Sequence, residues 1–100
     1  MLFFVKVRVE PKEMSLQDLW NAWEKEAEAA MGAKAAGKAV ALYKVCGQRR
    51  VVAILNVESH DELDRIIMAG LPMAHSLEIE EILPVREYER FAQDVKGRWK

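Results

Sequence analysis

Hydrophobic and polar residues alternate over the first nine positions. Phe3, Val5, Val7 and Val9 fall on one side of an extended segment, and Lys6 and Arg8 on the other. This is the period of a half-buried strand, and Pro11 ends it. Ser15 stands three residues before Asp18, an N-cap with a carboxylate in the first helical turn. Leu16, Leu19, Trp20, Trp23, Ala27, Ala30 and Met31 then recur at helical spacing. The spacing predicts a helix over 15–36, with that stripe against the core and Gly37 closing the end. Two apolar runs follow, 39–46 and 51–57, joined by Gly47-Gln48-Arg49-Arg50, and they read as a hairpin. Ser59 and Glu62 form a capping box ahead of Leu63, Ile66 and Ile67. Gly70 and Pro72 end that second helix, and Leu77, Ile79 and Leu83 mark a fourth strand stopping near Pro84. Tyr88, Phe91, Ala92, Val95 and Trp99 give the tail the apolar stripe of a third helix.

The order β-α-β-β-α-β is the split βαβ pattern. The expected fold is α+β and ferredoxin-like, with two helices on one face of a four-stranded antiparallel sheet. Residues 1–85 form the domain and 86–100 an added amphipathic helix. The sheet's other face is the difficulty. The run Val51-Val52-Ala53-Ile54-Leu55 is apolar on both sides, and so is Ala39-Val40-Ala41-Leu42. An antiparallel sheet with one wet face alternates instead. The second face is therefore expected to be covered by the same face of a second subunit, as in a homodimer. The competing arrangement folds the C-terminal helix back over it.

Composition narrows the function classes. Fifteen basic against sixteen acidic residues leave a net charge of -1, without the basic stripe of a nucleic-acid binder. No apolar run approaches the ~20 residues that span a membrane, and the N-terminus lacks the pattern of a signal peptide. One cysteine cannot form an internal disulfide. A cytoplasmic protein without nucleic-acid or membrane partners is expected. Cys46 lies among apolar residues at the end of a predicted strand and reads as a small core residue. His60 and His75, the two histidines, have no Cys or His at ligand spacing, so no metal site is expected. Neither a phosphate-binding glycine motif nor a nucleophile elbow is present.

The acidic residues of the first helix say more. At 100° per residue Glu28 points away from the apolar stripe, while Glu26 lies on its flank beside Ala22, Ala29, Ala30 and Ala33. A carboxylate at an apolar margin acquires a raised pKa, which suits proton transfer; an ordinary solvated helix edge is the other reading. Lys6, Arg8, Lys44, Arg49 and Arg50 are candidates for an anion, with Arg49 and Arg50 in the hairpin turn more readily solvated. Tyr43 is either a core aromatic or a hydroxyl donor. His75 and Ser76 lie between the second helix and the last strand, where a loop can carry function.

The chain resembles the muconolactone isomerase family. Met1-Leu2-Phe3-Phe4-Val5-Lys6 is similar to that family's first strand, and Glu26 stands at its helical glutamate. Leu42-Tyr43-Lys44-Val45 resembles its Leu-Trp-Arg-Ile segment, and Asn56-Val57-Glu58-Ser59-His60-Asp61-Glu62-Leu63 its Asp-Val-x-Ser-x-x-Glu-Leu segment. Leu71-Pro72 and Leu77-Glu78-Ile79-Glu80 resemble its Leu-Pro turn and last strand. The resemblance implies a dimeric α+β barrel, homodimers assembled into homodecameric rings, and cofactor-independent proton transfer within an unsaturated lactone bearing a carboxylate. Glu26 would be the catalytic base, Lys6 or Arg8 would hold the substrate anion, and Tyr43, His75 or Ser76 would donate hydrogen bonds. The sequence departs from the family at four places: its Trp-Arg-His stretch is Ala39-Val40-Ala41 here, its hairpin tyrosine aligns with Arg49, its Phe-Pro-Tyr is Ala74-His75-Ser76, and the helix after Pro84 exceeds the usual family ending. Those changes make a non-catalytic ligand-binding or assembly protein on the same scaffold the alternative.

Overall fold

A computed structural model describes residues 1–99. The elements are β1 (Leu2–Val9), α1 (Leu16–Ala35), β2 (Ala39–Lys44), β3 (Arg50–Asn56), α2 (His60–Arg65), β4 (Leu77–Val85) and α3 (Tyr88–Lys96). A π-helical turn, Ile66–Gly70, extends α2, and a 3-10 turn, Ala74–Ser76, leads into β4. The four strands form one open antiparallel sheet in the order β2-β3-β1-β4. This is the ferredoxin-like arrangement expected from the element order.

The helix ends follow from local chemistry. Ser15 Oγ accepts the Asp18 N–H at 3.1 Å, and Ser59 Oγ accepts the Glu62 N–H at 3.0 Å. Glu62 Oε2 accepts the Glu58 N–H at 3.0 Å, so both start signals are used. At the far end of α1 the Lys38 N–H reaches Ala33 O at 2.9 Å and the Gly37 N–H reaches Lys34 O at 3.1 Å. That pair of bonds is a Schellman motif, and it needs the left-handed backbone that Gly37 adopts at φ +79°.

Register assigns the two sheet faces. Phe3, Val5, Val7 and Val9 of β1 face the helices with Leu55, Ala53 and Val51 of β3 beside the first three. Phe4, Lys6 and Arg8 take the open face beside Ile54, Val52 and Arg50. On that face the cations meet acids: Lys6 with Glu81 at 3.8 Å, Arg8 with Glu10 at 2.6 Å, and Arg50 with Glu80 through two bonds of 2.8 and 3.0 Å. Its other half is apolar, with Phe4, Ile54, Ala41 and Leu83 in register.

Two expectations need correction, one on Cys46 and one on α1. Cys46 is exposed in the turn after β2, which ends at Lys44, and is not a core residue. β4 ends near Pro84 as expected, at Val85; it is an edge strand, where a proline's missing N–H is tolerated. The competing arrangement is not the one observed: the C-terminal helix does not fold back over the sheet. It buries none of its residues and is held by its own contacts, Arg86 to Asp94 at 2.6 Å and Phe91 between Tyr88 and Trp99. The molecule is drawn out accordingly, with a radius of gyration of 15.8 Å against the ~13 Å of a compact 100-residue domain.

The last correction concerns α1. Its buried residues are Leu19 and Glu26, with Ala22, Trp23, Ala29, Ala30 and Ala33 half-buried. Leu16, Trp20 and Met31 are 50–60% exposed. Trp20 and Met31 line a groove beside Leu42, Tyr43 and Lys44 of β2. β2 is an edge strand, so nothing lies beyond it to cover that flank. The helix therefore turns its alanine flank, with Glu26, toward the sheet in place of its bulky stripe.

Candidate active site

The helix-covered side of the sheet holds two separate apolar clusters. Phe3, Val5, Val57, Leu63 and Ile67 form one, and Val9, Leu19 and Met73 the other. A cavity of about 300 Å³ lies among them, walled by Val5, Val57 and Ile67 from the first cluster and Val9 from the second. Further wall comes from β2, β3, the π-helical turn with Leu71, and the alanine face of α1, with Ala27, Ala29, Ala30 and Ala33. Short side chains along α1 are what keep the space open. Glu26 stands in this wall, 9% exposed.

The Glu26 carboxylate is held at one oxygen. Oε1 accepts the Met73 N–H at 3.0 Å. Oε2 has no hydrogen-bond partner among the described residues and is not sealed from solvent, and Glu26 lines the cavity. Burial pushes the Glu26 carboxyl above the ordinary carboxylate range, and the Met73 N–H opposes this in part. The loop that supplies this N–H is itself fixed. The Ala74 N–H donates to Leu71 O at 3.0 Å, the Ser76 N–H to Met73 O at 2.8 Å, and the Glu10 N–H to Ser76 O at 2.8 Å. Met73 and Ser76 are each 2% exposed.

The raised pKa sets the pH dependence of stability. Below the unfolded value of about 4.5 both states are protonated and the shift contributes nothing. As pH rises past it, the unfolded state ionises first, the folded state retains its proton, and stability falls until the folded pKa is passed. Glu26→Gln keeps the acceptor for Met73 and removes the titration. It is expected to raise the melting temperature at pH 7 and to have little effect at pH 3, as followed by circular dichroism. A gain that is equal at both pH values would contradict the assignment.

A wider groove opens beside the cavity and shares Val9, Trp23, Ala27, Ala30, Leu42 and Val51 with it as walls. Its polar rim carries Arg8, Lys44, Arg49 and Arg50 together with the Glu10 carboxylate and Gln48. Of the residues proposed from sequence, the structure brings Glu26 to the cavity, while Arg8 and Tyr43 only border the groove, from strand positions that register assigns to the open sheet face. Lys6 lies on the open sheet face with Glu81, and His75 and Ser76 line neither space. His75 instead gives its carbonyl to Lys12, while Ser76 secures the loop that presents Met73. Trp23, Lys38 and the Met73 amide are site elements that sequence reading does not reveal. Trp23 was hidden in the apolar stripe, Lys38 in the link to β2, and a backbone N–H carries no side-chain signal at all. Lys38 lines the cavity while pairing with Glu62. Among the described residues no cluster of three or more His, Cys, Asp or Glu could hold a metal ion, and no helix is long and apolar enough to cross a membrane.

Comparison with known proteins gives a consistent result. A family model for muconolactone delta-isomerase matches residues 1–90. A crystal structure of muconolactone isomerase is similar at 26% identity and a TM-score of 0.67, covering 87% of this chain and 91% of that one. No match was found among curated proteins.

Proposed function

The chain belongs to the muconolactone delta-isomerase family, and from that membership we propose that it is a cofactor-independent isomerase moving a proton within a small unsaturated lactone or related carboxylate. The observation that carries the proposal is the Glu26 carboxyl in an apolar cavity, with one oxygen fixed by the Met73 N–H and the other free. In such surroundings a carboxylate is a stronger base than in water, and its orientation is fixed before substrate arrives.

The step balances on one carboxylate. Glu26 Oε2 removes the C–H proton between the substrate's carbonyl and its double bond, and the C–H electron pair enters a dienolate. The same carboxyl then returns the proton to the far end of the dienolate, shifting the double bond and restoring the ionised glutamate. The developing oxyanion needs a donor. The wall residues that carry side-chain donors are Trp23 and Lys38.

The expected result is a double-bond shift in unsaturated γ-lactone carboxylates, followed by proton NMR without added cofactor. Failure to convert any of them, with ligand still raising the melting temperature, would favour the non-catalytic binding reading.

The same proposal includes a homodimer formed through the open sheet face. Phe4 and Ile54 are half-buried there, Leu83 and Val85 are 47% and 38% exposed, and α3 leaves them uncovered. A second copy would remove this apolar surface from water. Light scattering at micromolar concentration should give at least twice the 11.5 kDa chain mass. A monomer at that concentration would exclude the pairing.

A further inference from the structure

The cavity and its rim together describe a more specific ligand than a small polar lactone. Apart from Glu26, Lys38 and Trp23, the side chains on the cavity wall are aliphatic. Its volume of about 300 Å³ is well above the ~150 Å³ at which an apolar protein cavity already admits benzene. An apolar space of this size divides the core into two clusters and forgoes packing contacts between them. A ligand with an apolar body would restore those contacts.

The rim adds a charge preference. Two of its four cations face carboxylates, Arg8 with Glu10 and Arg50 with Glu80. Lys44 and Arg49 form no ion pair among the described residues, though Arg49 adds to the stronger pull of Arg8 in lowering the pKa of Glu10 on the same groove. Lys44 Nζ is bonded only to the carbonyls of Val45 and Gln48 and stands 6.0 Å from the centre of the Trp23 ring. Trp23 lines both groove and cavity, so this free ammonium sits beside a wall that the two spaces share. Arg49 enters from the hairpin loop on the same groove.

We propose that this site selects carboxylates carrying a bulky apolar body, a substituted ring or branched chain, with the body in the cavity and the carboxylate at Lys44 and Arg49. The inference rests on the isomerase site described above and names its substrate class. The apolar body lies against Val5, Ala33, Leu55 and Ile67, and the carbon next to it is the one presented to Glu26.

Cyclohexylacetate tests this, because its C–H bonds are not acidic enough to be isomerised and its binding is read independently of turnover. Titration calorimetry on the full chain at low salt should show it binding at least about tenfold more tightly than acetate, given the apolar area of the ring. The neutral cyclohexylacetamide should bind more weakly, and Arg49→Gln and Lys44→Gln should each bring the acid several-fold toward the amide. Ala33→Leu should fill part of the cavity, raise the melting temperature and remove the preference for the ring over acetate. Equal affinity for cyclohexylacetate and acetate, no detectable binding of either, or affinity unchanged in both rim variants would overturn the proposal. Ring binding without any lactone conversion would count against the isomerase alone. Lactone conversion without ring preference would count against this inference alone.

Discussion

Glu26→Gln is expected to lower kcat for lactone isomerisation by about 10²–10⁴, the usual worth of a general acid–base group. The substitution is close to isosteric and Gln Oε1 can still accept the Met73 N–H, so the cavity should keep its shape. KM should move far less than kcat, since the amide removes proton transfer and leaves the apolar walls that hold the substrate. Glu26→Ala would add a hole to the cavity, which makes it the less informative variant. Unchanged turnover in Glu26→Gln would remove this residue from the mechanism.

The second large effect is on stability. Leu19 is 1% exposed and packs with Val9 and Met73. Leu19→Ala is expected to cost ~2–5 kcal/mol, the range for deleting a buried leucine side chain. In a domain of this size that is a large share of the total. The consequence also reaches the chemistry. Leu19 supports Met73, whose N–H orients Glu26, so any folded fraction of the variant should have a loosened carboxylate and a lower kcat. Urea unfolding combined with activity on the same sample tests both. A midpoint within error of the parent would contradict the role of this cluster.

These effects separate what was readable in the sequence from what was not. The strands and helix starts were legible because their determinants are local: the alternation from Phe3 to Val9, the serines at 15 and 59, and the glycine at 37. Each operates within a few residues. The buried face of α1 was not legible. The large side chains Leu16, Trp20 and Met31 suggested one face, but burial is decided by where the sheet ends. An edge strand leaves the bulky flank uncovered, while the alanines lie over the cavity. For the same reason Glu26, placed at a margin by helical geometry, stands inside. Cys46 was misplaced by two residues of strand length, the distance over which an apolar run gives way to a turn.

The site was legible only where a side chain carries the signal. Glu26 and its neighbouring alanines could be named from spacing. Its hydrogen-bond donor is a backbone amide 47 residues away, and the free cations at the rim are distinguished from the paired ones only by the acids that β1 and β4 bring to Arg8 and Arg50. Lys6, named as an anion ligand by its position on the first strand, faces the other side of the sheet and meets Glu81.

The central claim is that an ionised Glu26 inside the cavity is the base. The pH dependence of kcat/KM reports the ionisation of the free enzyme and tests the claim most directly. For the parent protein, kcat/KM on an unsaturated lactone carboxylate should rise with pH through an apparent pKa above the ordinary carboxyl value of 4.5, and that limb should be absent from the residual activity of Glu26→Gln. A parent profile with no limb above 4.5, or the same limb in the glutamine variant, would contradict it.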